Sequence, residues 1–261
     1  MSEKKHEVMI HGKTIPVHTD KVIITGTGYA NDSDPVEVML SSNAFNQCWL
    51  DRIDSDTDIV EIHIQSIDFL PNGEILFIKP YVLIRDPDGK IYPRTFLIRK
   101  DVVSCFIVLV CEGKEYVVMI TQPRAATGYS NIKSIVAGII DDGETAEEAV
   151  IRETLEETGI TITQDCVVDL VREIYGEIPH GLFLAPGTTN DNCRHFAAIK
   201  EISVSELSKL QNSLAGAAGE NERILVQVLP IDEFISNTTS SNSISAFALY
   251  HHYKERKECN D

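Results

Sequence analysis

Apolar and polar positions alternate with a period of two through much of the first hundred residues. This pattern predicts short strands at Glu7–Ile10, Thr14–His18 and Lys21–Thr25, then longer ones at Ile59–Ile67, Glu74–Ile84 and Ile91–Ile98. Asp86-Pro87-Asp88-Gly89 is a hairpin turn between the last two. One interruption, Ser41 to Arg52, suits a short helix with serine at its cap, carrying Phe45, Trp49 and Leu50. From Val102 the pattern changes. VVSCFIVLVC and EYVVMIT are nearly continuous apolar runs around a Glu112-Gly113-Lys114 turn, as expected of more deeply buried strands. An irregular stretch, QPRAATGYSNIK, leads through SIVAG to a helix at about Ala146–Thr158. Strands at Cys166–Tyr175, Cys193–Ile202 and Glu222–Leu229 follow, with helices at Ser205–Ala215 and Ser243–Arg256. Leu214–Asn221 has the composition of a flexible loop. The order predicts a β-rich region over 1–100 and an α/β region over 101–261, with mixed strands between helices.

The helix at Ala146–Thr158 carries the strongest chemical signal. Thr145 and Glu148 form a capping-box pair at its start, and Gly159 suits the left-handed turn that ends it. Residues 141 to 157 hold eight acidic side chains (Asp141, Asp142, Glu144, Glu147, Glu148, Glu153, Glu156 and Glu157) against one base, Arg152. At about 100° per residue, Glu153, Glu156 and Glu157 fall within one arc, with Arg152 at its edge and Ile151 and Leu155 opposite. Such a face is either a solvated acidic surface or a site for a hard divalent cation such as Mg²⁺ or Mn²⁺.

Charge and composition narrow the choice of partner. The chain has 261 residues and a net charge of −17. That charge disfavours nucleic acid as a partner, because phosphate backbones reward Lys and Arg. It also means that an anionic nucleotide would need bound metal and local arginine. The six cysteines include no CxxC pair and suggest reduced thiols. MSEKKHEVMIHGKT lacks a secretory apolar region, and no apolar run reaches the ~18 residues of a membrane span, so a cytoplasmic location without membrane partners is expected.

The segment GIIDDGETAEEAVIRETLEETGI resembles the Nudix box, G-x5-E-x7-R-E-U-x-E-E-x-G-U with U apolar. Gly138, Glu144, Arg152, Glu153, Glu156, Glu157, Gly159 and Ile160 are in register, and Thr154 stands where an apolar residue is usual. Looser similarity in SSNAFNQCWL, TQPRAATG, APGTTND and ISAFALYHHYKER extends along most of the chain toward the nucleoside-diphosphate-sugar pyrophosphatases, plant-type ADP-sugar and ADP-ribose enzymes among them.

The resemblance implies an α/β/α sandwich with a mixed sheet, preceded by a smaller β-rich domain that pairs two subunits and helps wall the substrate site. It also implies Mg²⁺ (or Mn²⁺) held by Glu153, Glu156 and Glu157 with a backbone carbonyl near Ala137-Gly138. Arg152 would orient the carboxylates, Glu144 would support them, and Arg124 would meet the substrate diphosphate. Two positions depart from the pattern: Ser134 replaces a usual Glu, and Asp191 replaces the Glu expected after Pro186-Gly187. Asp191, or Glu177 in the same loop, would be the base for the attacking water. The implied reaction is hydrolysis of a nucleoside-diphosphate sugar to a nucleoside monophosphate and a sugar phosphate by a homodimer. UDP-glucose, GDP-mannose and dinucleoside polyphosphates are alternative substrates, and a non-catalytic nucleotide sensor is an alternative role.

Overall fold

The computed structural model describes residues 5–26, 33–178, 180–216 and 224–259. Its chain divides into two units, one of residues 1–101 with 185–191 and one of residues 102–184 with 192–261.

The first unit contains β1 (His6–Ile10), β2 (Lys13–His18), β3 (Ile23–Thr25), α1 (Pro35–Ser41), β4 (Asp58–Phe69), β5 (Ile75–Arg85) and β6 (Ile91–Thr95). The sheet order is β1-β2-β4-β5-β6, with β3 also on β4. Its core gathers Ile62, Ile67, Ile78, Val82 and Ile98 from the sheet, with Met39 and Phe45 from the intervening segment. The helix expected over Ser41–Arg52 lies earlier. Asp34 accepts from the Val36 N–H and Pro35 fills the first turn, both favourable at a helix start. Ser41 and Ser42 then turn their hydroxyls back onto the carbonyls of Glu37, Val38 and Met39, which ends the helix. Phe45 is buried, and Trp49 packs between it and Phe96 at ring distances of 5.4 and 5.6 Å. The expected strand Ile91–Ile98 stops at Thr95, and Ile98 makes a separate bridge to Ile78.

Residues 185–191 are stitched into this same unit. The Leu97 N–H donates to Thr188 O at 2.8 Å, the Arg99 N–H donates to Asn190 Oδ1 at 2.8 Å, and Asn190 Nδ2 donates to Cys48 O at 2.8 Å.

The second unit contains β7 (Val102–Cys111), β8 (Lys114–Arg124), β9 (Tyr129–Ser134), β10 (Val136–Ile139), α2 (Ala146–Thr158), β11 (Val167–Asp169), α3 (Leu170–Tyr175), β12 (Leu182–Phe183), β13 (Asn192–Glu201), α4 (Val204–Leu210), β14 (Leu214–Ala215), β15 (Ile224–Pro230), α5 (Phe234–Asn237) and α6 (Ser241–Glu258). The sheet runs β11-β13-β7-β8-β15-β14, with β13 parallel to β7 and β8 antiparallel to both its neighbours. Val103, Cys105, Ile107 and Leu109 of β7 pack on the α2 side, whereas Phe106 and Val108 pack with α3 and α6 on the other. Burial on both faces explains the unbroken apolar run VVSCFIVLVC and gives the expected mixed-sheet α/β sandwich.

Three elements differ from the sequence expectation. Cys166–Tyr175 is not one strand: β11 ends at Asp169, whose side chain accepts from the Arg172 N–H at 2.9 Å and starts α3. Ser203, in a capping box with Glu206, starts α4; the chain then turns at Asn212, with φ 61°, and returns as β14. QPRAATGYSNIK is the end of β8 and a hairpin into β9. Of the expected loop Leu214–Asn221, Leu214–Ala215 form β14, and 217–223, which include the start of the strand at Glu222, lie outside the described residues. Among the described residues no helix is long and apolar enough to cross a membrane.

Candidate active site

Helix α2 begins as its sequence predicts. Thr145 and Glu148 complete a reciprocal capping box, and Gly159 caps the other end at φ 72°. Its buried face is displaced from the expected one. Ala149, Val150, Thr154, Glu157 and Thr158 face inward, while Leu155 is 50% exposed and Ile151 only partly buried. The Thr154 hydroxyl donates to Val150 O at 2.7 Å and also reaches the buried Cys105 thiol, so its polarity is satisfied within the core.

This rotation gives the carboxylates different environments. Glu157 is 5% exposed and lies against the sheet. It accepts from the Ala137 N–H at 3.0 Å and from Gln122 Nε2 at 3.3 Å. Glu153 is tethered on the Arg152 side, where Arg152 Nη1 donates to Glu153 Oε1 at 2.8 Å and to Glu156 Oε2 at 3.1 Å. The other guanidinium nitrogens donate to Glu144 at 2.8 and 2.9 Å and to Ile139 O at 3.0 Å. Arg152 therefore donates to three carboxylates and one strand carbonyl, and a fourth carboxylate, Asp141, lies 3.6 Å from Nη2.

Gly138 leaves the space that the Glu153 carboxylate occupies in this arrangement. A Cβ built there would lie 1.8 Å from Glu153 Cδ, so glycine leaves room for the carboxylate to cross strand β10. Burial pushes the Glu153 carboxyl above its ordinary pKa, with hydrogen bonding from Arg152 opposing the shift. Glu144 moves the opposite way, held below the usual range chiefly by its hydrogen bond from Arg152.

The donor set fits a hard divalent cation. All the side-chain donors are carboxylates, and a cation would add to the charge that Arg152 already sets against Glu153. The oxygens are not drawn into one tight group: Glu153, Glu156 and Glu157 are not a set whose ligand atoms all lie within 4.8 Å of one another. Arg152 holds the first two and the sheet backbone holds the third.

Arg124 lies at the exposed end of β8, in the same unit as α2, with its backbone carbonyl accepting from Thr127 Oγ1 at 2.8 Å. Glu177 is exposed in that unit also. Asp191 belongs to the other unit and is 7% exposed, with Thr189 Oγ1 donating to it and Arg99 Nη1 3.8 Å away. Ser134 is buried, and the chain resumes at β10 two residues later.

Gln122 and the Ala137 N–H are contacts that the sequence reading missed. Gln122 shares the inward parity of Val118 and Ile120 on β8, so a polar residue at a core-facing position was the available signal.

A NUDIX domain model matches residues 99–238, more than half of the chain. The chain therefore belongs to the Nudix family. It is a Nudix hydrolase, an enzyme of nucleotide-linked substrates. It is 26% identical over 249 residues to Nudix hydrolase 14, chloroplastic, of Arabidopsis thaliana, covering 91% of this chain and 79% of that one. A shorter segment of 72 residues, 28% of this chain and 23% of the relative, is 38% identical to the NAD-capped RNA hydrolase NudC of Vibrio cholerae. A crystal structure of an ADP compounds hydrolase matches with a TM-score of 0.56 at 16% identity, covering 79% of this chain and 98% of that one. This last likeness is one of fold.

Proposed function

We propose that the protein hydrolyses the diphosphate of a nucleoside-diphosphate sugar, with ADP-ribose or an ADP-sugar favoured, to a nucleoside monophosphate and a sugar phosphate. The observation that carries this reading is the Arg152 hub: a single guanidinium fixes Glu144, Glu153 and Glu156 beside a buried Glu157 clamped by strand backbone. Carboxylates held by fixed donors in this way have less freedom than those of a solvated acidic surface.

Glu153, Glu156 and Glu157, with the backbone near Ala137, would hold Mg²⁺ or Mn²⁺. When bound, such an ion neutralises diphosphate oxygens and lowers the pKa of a coordinated water. The chain's own residues supply the positioning. Arg152 keeps Glu153 and Glu156 from swinging apart, and Gln122 with the Ala137 N–H fixes both oxygens of Glu157. Arg124, exposed on the hairpin, would bind the diphosphate as a charge-assisted donor. Asp191 and Glu177 are the two carboxylates proposed as base. Asp191 would act through a carboxylate already oriented by Thr189, and Glu177 through one open to solvent.

The fold likeness to an ADP compounds hydrolase supports the choice of an ADP-linked substrate. The net charge of −17 supports a small nucleotide over a nucleic acid. Homodimerisation through residues 1–100 and a cytoplasmic location complete the reading; light scattering tests the former, with a clean monomer refuting it.

The decisive assay is a panel of ADP-ribose, ADP-glucose, UDP-glucose, GDP-mannose and a dinucleoside polyphosphate with Mg²⁺, scored by phosphate release after phosphatase coupling. The proposal expects the ADP-linked sugars to turn over fastest. Equal rates across the bases would remove the ADP preference, and binding without turnover of any compound would favour a sensor.

A further inference from the structure

Among the described residues, one group of three His, Cys, Asp or Glu side chains has ligand atoms all within 4.8 Å of one another: His18, Glu61 and His63. It lies on the sheet of the first unit, and the ladder explains how it forms. Strands β2 and β4 run parallel with His18 opposite His63. Glu61 and His63 are two residues apart on β4, so the pleat places both on one face while Ile62 and Ile64 enter the core. On β2 the same alternation buries Val17 and turns His18 outward.

Both imidazoles direct a nitrogen at the same carboxylate oxygen. His63 Nε2 is 3.0 Å from Glu61 Oε2, and His18 Nε2 is 3.7 Å from it. Ligands bonded to Zn²⁺ at ~2.0–2.1 Å in a tetrahedron are separated by roughly 3.4 Å, so these spacings bracket such an edge. His18 Nε2 is shielded from solvent and has no hydrogen-bond partner. A buried polar atom left in that state lacks the partner that water would give it, and a bound ion would supply one. The rings are stacked at 4.4 Å with an interplanar angle of 16°, so they must tilt toward a shared ion. Side-chain exposures of 41% and 38% leave the space for that tilt.

We propose that His18, Glu61 and His63 form a binding site for a borderline divalent transition metal of the Zn²⁺ class. Two neutral imidazoles and one carboxylate suit Zn²⁺, Co²⁺ or Ni²⁺ far better than the all-oxygen preference of Mg²⁺. Three protein donors leave a fourth position for water. Because the ligands join β2 to β4 across 45 residues, binding to the folded chain alone would stabilise the first unit by mass action.

The test uses the untagged full chain in excess Mg²⁺, which occupies oxygen-only sites, titrated with Co²⁺ and Zn²⁺. Absorption, calorimetry and thermal melting are the readouts. The expected result is one equivalent bound in the micromolar range, a ligand-field band of four-coordinate Co²⁺ and a raised Tm with Zn²⁺. The double variant His18→Ala/His63→Ala should lose the band and bind at least about tenfold more weakly. Its circular dichroism and Mg²⁺-dependent turnover should be unchanged. Should the double variant misfold, His18→Gln and Glu61→Gln singly should each weaken binding in the same direction. Equal binding by wild type and variants, or no binding by wild type, overturns the proposal.

Discussion

Glu156 and Glu157 are neighbours in sequence and occupy opposite environments. Glu156 has a side chain 36% exposed and is tied to the helix's own Arg152, whereas Glu157 is 5% exposed and takes its donors from strands β8 and β10. The difference shows that the acidic face of α2 is two structures. One is an ion-pair network within the motif, adjustable and partly screened by water. The other is a carboxylate built into the sheet–helix seam, where its orientation is set by backbone and cannot drift.

Of these two neighbours, the larger effect should come from removing the buried one. Glu157→Gln should lower Mg²⁺-dependent turnover by more than ~100-fold, exceeding the range typical of residues behind a metal ligand. Glu156→Gln should cost less; equal losses in steady-state kinetics would erase the distinction between the two environments.

Gly138→Ala sharpens the same contrast from the strand side. The new methyl group would overlap Glu153, whose carboxylate end can swing away, so turnover should fall about 10–100-fold while the melting temperature changes little. A large fall in Tm with unaltered kinetics would show that the glycine serves packing alone.

A third prediction concerns acid stability in the same sheet. His195 on β13 is fully buried, 2.7 Å from Ser104 Oγ, and burial pushes its pKa down to about 4. The unfolded chain binds this proton near pH 6.5 and the folded chain does not. The resulting stability is therefore intact above pH 6.5 and is lost as pH falls toward about 4. The loss should reach ~3 kcal/mol in urea titrations, by the usual worth of a pKa unit. His195→Leu should flatten this limb, and an unchanged slope would assign the acid sensitivity elsewhere.

The smallest effect is at Leu155, where Leu155→Lys should alter stability by no more than about 0.5 kcal/mol because half of the side chain is already exposed. A loss of several kcal/mol in chemical denaturation would return this residue to the buried stripe.

The extent of α2 was legible because its determinants are local: the Thr145–Glu148 box, the Gly159 cap and the motif spacing all lie within one short segment. Which face it buries was not. That face depends on Ala137 and Gln122, residues 20 and 35 positions away from Glu157, and helical periodicity alone pointed to Ile151 and Leu155. The apolar run after Cys166 fits either a strand or a helix, and the Asp169 cap decides it after three residues. Likewise, the placement of 185–191 beside Leu97 and Arg99 arises from backbone pairing across about ninety positions, which composition does not encode.

Helix α2 is proposed to support metal-dependent hydrolysis of a nucleotide-linked diphosphate. This role is tested most directly by measuring ADP-ribose hydrolysis against Mg²⁺ concentration for the wild type and Glu153→Gln, with folding checked by circular dichroism. The expected result is saturable Mg²⁺ activation in the wild type and near-abolished turnover in a folded variant. Unchanged turnover in Glu153→Gln, or hydrolysis that persists without any divalent cation, would contradict it.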